Sequence, residues 1–100
     1  MKKIYISGKI SGLPIEEVKQ KFSNAETHLK SKGWDPVNPL NNGLPENSTW
    51  EQHIGKDIEL LLGCEAIALL DDWILSKGAS LELVVAQHSK MEVYWMEDMV

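Results

Sequence analysis

The chain is poor in cysteine, in long apolar runs and in positive charge, and each shortage excludes something. Its 100 residues include one cysteine, Cys64, which rules out an internal disulfide and any multi-cysteine metal site. Cys64 follows Gly63 and opens an apolar run, where a free thiol normally acts as a small buried hydrophobe. No apolar run approaches the ~20 residues that cross a bilayer, so no membrane partner is expected. The start, Met1-Lys2-Lys3-Ile4-Tyr5-Ile6, has a basic tip but no long apolar segment or small-residue cleavage site, which predicts no signal peptide and a cytoplasmic location. A net charge of −5 argues against a nucleic-acid polymer as partner, because such a surface needs a basic face to neutralise phosphates. Repeats, low-complexity stretches and linkers are also missing, so residues 1–100 are expected to form a single domain. His28, His53 and His88 show no helical metal spacing, and no Gly-x-Ser-x-Gly elbow supports a hydrolase triad. No metal and no cofactor are expected.

What remains is a strongly patterned chain. Lys2 to Ser7 alternates around Ile4 and Ile6 and reads as a central first strand. After the loop Gly8-Lys9-Ile10-Ser11-Gly12, Pro14 suits a helix start, and Ile15, Val18, Phe22, Ala25 and Leu29 form an amphipathic stripe ended by Gly33. Trp34 to Asn38 is a short strand stopped by Pro39. Ser48-Thr49-Trp50-Glu51 has capping-box spacing, and the helix it opens presents Trp50, Ile54, Ile58, Leu61 and Leu62. Glu65 to Leu70 is a nearly continuous apolar strand, as expected when helices cover both faces. A third helix runs from Lys77 or Gly78 to about Ser89, Met91 to Trp95 is a last strand, and Met96 to Val100 is an acidic tail expected to fray.

The order β-α-β-α-β-α-β predicts an α/β fold: a small doubly wound, flavodoxin- or Rossmann-like parallel sheet of about four to five strands flanked by helices. Ligands of such folds sit beyond the carboxyl ends of the strands. The loops Gly8 to Gly12, Pro39 to Ser48 and Asp71 to Gly78 should therefore meet at one rim.

Glu82 stands out on that scaffold. Its helical neighbours are Ala79, Leu83 and Ala86, so an acid occupies an apolar face and needs either a structural partner or a chemical task. The glycine loop can aim backbone N–H groups at an anion, with Lys9 and Ser11 adding a charge and a hydroxyl, although a plain tight turn has the same pattern. It matches neither the dinucleotide fingerprint nor the ATPase phosphate loop. Asp57 borders an apolar stripe one turn after His53, either as part of an inward network or as a surface His–Asp pair. Asp71 and Asp72 end the buried strand, where acids either turn the chain or bind a ligand hydroxyl. Ser76 can cap a helix or touch an anion, and Trp73 and Trp50 can stack on a planar base or serve as core or lid.

Taken together, Ile4-Tyr5-Ile6-Ser7-Gly8, Pro36-Val37-Asn38-Pro39, Asp57-Ile58 through Cys64-Glu65-Ala66-Ile67 and Ser76-Lys77-Gly78-Ala79-Ser80-Leu81-Glu82 resemble the nucleoside 2-deoxyribosyltransferase-like family. The resemblance implies that Glu82 is the nucleophile toward the anomeric carbon of a (deoxy)ribosyl group, that Asp57 protonates or orients the leaving base, and that Tyr5 positions the Glu82 carboxylate. It places Gly8, Ser11, Gly12 and Ser76, with Lys9 and Gly78 beside them, at a 5′-phosphate. Transferases of the family tend to carry aspartate where this chain has Ser76, which tilts the resemblance toward the deoxynucleoside 5′-monophosphate N-glycosidases. The implied partner is a nucleotide or nucleoside. A core this small, with several tryptophans, favours a homodimer or higher homo-oligomer. The same fold used as a non-catalytic nucleotide-binding module is the alternative.

Overall fold

A computed structural model describes residues 1–96. The strands β1 (Lys3–Ser7), β2 (Asp35–Val37), β3 (Ala66–Leu69) and β4 (Glu92–Trp95) alternate with the helices α1 (Ile15–Ser31), α2 (Trp50–Leu62) and α3 (Lys77–His88). All strand pairs are parallel, in the order β2-β1-β3-β4. The expected α/β architecture is therefore the observed one, with four strands in the sheet. Beyond Met96, the tail expected to fray lies outside the described residues.

Period-two alternation sorts the central strands between two cores. Ile4 and Ile6 of β1, with Ala66 and Ala68 of β3, meet Val18, Phe22, Ala25 and Leu29 of α1. On the opposite face Tyr5, Ile67 and Leu69 pack with Leu61 of α2 and with Leu83 and Ala86 of α3. Both faces of β3 are covered, which explains its unbroken apolar sequence. The chain steps from β1 outward to β2, then crosses back beyond β1 to β3. The direction of winding thus switches between β1 and β3, and a crevice opens at their carboxyl ends.

The helix ends follow from local chemistry, with one shift in register. Gly33, at φ +89°, closes α1 in a Schellman arrangement: Gly33 N–H donates to Lys30 O, and Trp34 N–H to Leu29 O. The box that opens α2 is Thr49 with Gln52, one residue later than the expected Ser48 with Glu51. Either pair has the required chemistry, and the one formed has both reciprocal bonds. Three members of the expected apolar stripes are exposed: Ile15 (54%), Trp50 (39%) and Leu62 (55%). Leu62 ends α2 one position past the buried Leu61, while Ile15 and Trp50 each open a helix at the edge of the crevice.

Gly8 ends the central strand where no side chain fits. A Cβ there would lie 2.6 Å from Leu70 Cδ1 and 2.9 Å from Leu70 Cβ. Gly55, inside α2, has open space around it. Gly8→Ala should lower stability by about 1–3 kcal/mol, whereas Gly55→Ala should raise it by about 0.5–1 kcal/mol. Urea unfolding of both variants checks this, and a Gly8→Ala protein as stable as wild type would contradict the packing described.

Candidate active site

Ser76 caps α3, its hydroxyl accepting from Ala79 N–H at 3.1 Å. The cap sets the helix phase that turns Ala79, Glu82, Leu83 and Ala86 toward the sheet. Glu82 is thereby carried into the crevice with only 5% of its surface exposed. Two hydroxyls from β1 meet it: Tyr5 Oη donates to Oε2 at 2.7 Å, and Ser7 Oγ donates to Oε1 at 2.7 Å. Tyr5 and Ser7, two residues apart on the strand, share a face, and both are fully buried. Each carboxylate oxygen so receives one short hydrogen bond, and among the described residues no lysine pairs with the carboxylate.

That environment makes Glu82 a weak acid. Burial pushes its pKa up from 4.5 to about 7, with the negative charge of Asp57 acting in the same direction and the Tyr5 and Ser7 hydrogen bonds opposing. Burial and the neighbouring Glu82 and Asp57 charges hold the Tyr5 phenol well above its usual range, so it stays a donor. Asp57 is also buried and its carboxyl is raised, chiefly by burial, against the opposing effects of Asn42 and His53. It accepts from Asn42 Nδ2 at 3.0 Å. Burial pushes the Cys64 thiol up to about 11, leaving it inert as a nucleophile.

Around the two acids lies an open cleft of about 1160 Å³. The three loops expected at one rim all reach it. Of the residues singled out in the sequence, Tyr5, Asp57 and Glu82 line it, as do Gly8, Lys9 and Ser11 of the first loop, Ser76 and Gly78 at the start of α3, and Trp50. Gly12, Asp72 and Trp73 do not. Gly12 adopts φ +82° in a turn. Trp73 packs against Trp95, ring centroids 5.5 Å apart, half-buried against the core cluster of Tyr5, Ile67 and Leu83. Asp72 ties the glycine loop down instead: it accepts from Lys9 N–H at 3.0 Å and pairs with Lys21, whose ammonium also donates to Lys9 O at 2.7 Å.

Ser7 and Asn42 escaped the sequence reading. Ser7 carried a usable signal, since it stands two residues after Tyr5 on the same strand. Asn42 carried none, lying in an Asn-Asn-Gly turn whose composition already accounts for it.

The cleft thus joins two weak acids to an anion-friendly rim. Lys9, Lys19 and Lys77 line it, and the N-terminus of α3 opens onto it. Lys77 also lies 4.7 Å over the Trp50 ring, linking the first turns of α2 and α3. All 10 cationic side chains of the protein are lysines, so any phosphate is met by point charges and backbone N–H groups rather than by a guanidinium fork.

Burying Glu82 has a consequence for stability. Its folded pKa, about 7, exceeds its ordinary 4.5, so its contribution is complete below about pH 4.5 and is lost as pH rises through about 7. The full swing is about 3 kcal/mol at most. Glu82→Gln should therefore match wild type in stability near pH 5 and exceed it by about 1–3 kcal/mol near pH 8. Denaturant melts at both pH values read the difference, and equal stability of the two proteins at pH 8 would contradict the buried carboxylate.

The family model described as "Domain of unknown function (DUF4406)" matches residues 2–95. No curated protein matches the chain. Among solved structures, a 2-desoxiribosyltransferase from Leishmania mexicana is similar, with TM-score 0.74 and 21% identity over 95% of this chain. This chain covers 63% of that enzyme, so it spans less than two thirds of its length, and at that identity the likeness is one of fold. The match over residues 2–95 identifies the chain as a member of the family described as Domain of unknown function (DUF4406).

Proposed function

We propose that this protein breaks the N-glycosidic bond of a nucleotide or nucleoside, with Glu82 as nucleophile. The observation that carries the reading is the buried Glu82 carboxylate, held through both oxygens by Tyr5 and Ser7 in a cleft shared with Asp57. The fold shared with a 2-desoxiribosyltransferase supports it. The rim of Gly8, Lys9, Ser11, Ser76 and Gly78 lines the same cleft and supports a reading with a 5′-monophosphate as the handle, as in the deoxynucleoside 5′-monophosphate N-glycosidases.

Ionised Glu82 attacks the anomeric carbon as the bond to the base lengthens. The two hydroxyls fix the carboxylate and spread its charge, while burial keeps water from solvating it. Asp57, whose raised pKa leaves it protonated more often than an exposed aspartate, gives its proton to the departing base. A glycosyl ester of Glu82 results, with inversion at the anomeric carbon. Water or a second base then attacks from the face the first base left, giving up its proton to Asp57. Glu82 is freed, and the two inversions add up to retention. Water as acceptor makes the protein a hydrolase; a second base makes it a transferase.

Incubation with deoxynucleoside 5′-monophosphates should release free base. Glu82→Ala should lower kcat by about 10³-fold or more, and Asp57→Asn by about 10²–10⁴-fold. The acid limb of kcat/KM should lie near pH 7, where Glu82 ionises, and Tyr5→Phe should move it higher, because that hydroxyl favours the ionised carboxylate. A Glu82→Ala protein that keeps full activity would overturn the mechanism. Tight nucleotide binding without any base release would leave a binding module in its place.

A further inference from the structure

The hydrogen bonds of Asn42 determine more than its own place. Its Oδ1 accepts from Leu44 N–H at 3.0 Å, so the amide oxygen faces away from Asp57. Its Nδ2 donates to Asp57 Oδ1 at 3.0 Å and lies 3.0 Å from His53 Nδ1. Flipping the amide would set its oxygen against the Asp57 carboxylate and its NH₂ against a backbone N–H. Both neighbours therefore select the same orientation. An amide nitrogen can only donate, so His53 Nδ1 must accept, and the ring proton of the neutral imidazole resides on Nε2.

His53 lines the cleft, and its Nε2 has no partner among the described residues. One turn along α2, Asp57 has one oxygen held by Asn42, and its other oxygen has no hydrogen-bond partner among the described residues. In its proton-donating state it offers a hydrogen from that second oxygen. The cleft then presents two adjacent donors, both set by a single asparagine. A planar base answers them best with two adjacent acceptors. The exposed edge of a 6-oxopurine offers N7 and O6, whereas a 6-aminopurine offers N7 beside an N–H donor. The second edge would set donor against donor and leave a polar group unpaired.

We propose that His53, held in its Nε2–H form by Asn42, selects the leaving base, and that the preferred substrate carries a 6-oxopurine rather than a 6-aminopurine. This rests on the reading of the cleft as an N-glycosidase site. Asn42 is the positioning residue and His53 the group that touches the base. Their signature is a ratio between substrates, which a purely structural role does not move.

The test compares 2′-deoxyguanosine and 2′-deoxyadenosine 5′-monophosphates in two measurements: base release by wild-type protein, and equilibrium binding by calorimetry to Glu82→Gln protein. The 6-oxopurine should be favoured by about ten- to a hundred-fold in kcat/KM or in affinity. His53→Phe and Asn42→Ala should bring that ratio close to one, while His53→Gln, which retains a side-chain N–H donor, should keep part of it. Base release with no preference, or with a preference that survives His53→Phe, overturns the assignment of His53 and leaves the glycosidase reading standing. Absence of turnover together with a His53-dependent binding preference does the reverse. Failure to bind either nucleotide overturns both.

Discussion

Two hydroxyl groups on one strand hold a carboxylate that would otherwise be out of place. The hydrogen bonds from Tyr5 and Ser7 to Glu82 keep a buried acid ionisable near neutrality instead of leaving it permanently protonated. A buried unpaired carboxylate is strongly disfavoured, and a fully paired one is an ordinary surface-like acid with little reactivity. Two neutral donors, with no cation paired to the carboxylate among the described residues, produce the state between these. It suits a nucleophile that must be charged when it attacks and weakly solvated while it does so.

The topology makes that contact available. β1 lies in the middle of the sheet, so its Tyr5 face is roofed by α2 and α3 and sealed from solvent. β1 also flanks the point where the winding reverses, so the same strand end opens onto the cleft. Gly8 lets the chain leave the sheet against Leu70, and the Asp72–Lys21 pair fixes the peptide of Lys9 from both its N–H and its carbonyl. The acid at the floor and the anion-friendly rim are therefore consequences of one strand end, reached from opposite sides.

Much of this was legible in the sequence. Strand alternation and helix stripes gave the element order, and the apolar neighbours of Glu82 marked it as an acid needing a reason. What could not be read depended on distance across the fold. Ser48 and Thr49 are equally good caps and Glu51 and Gln52 equally good partners, so local chemistry alone does not choose between the registers, and the folded chain uses Thr49 with Gln52. Trp50 and Trp73 flank loops in the same manner, yet one lines the cleft and the other packs half-buried against the core cluster and Trp95. Asp72 looks like a ligand-binding acid until Lys21, 51 residues away, is found beside it. Asn42 has no local mark at all, because its role is defined by two side chains on a helix it only meets in the folded protein.

Carbon-13 NMR titration of the Glu82 side-chain carboxyl addresses the central contact directly. A midpoint near pH 7 in wild-type protein, moving upward in both Tyr5→Phe and Ser7→Ala, is the predicted result. A midpoint near the ordinary 4.5, unmoved by either substitution, would mean that the carboxylate is neither buried nor held by these hydroxyls, and the account would fail at its base.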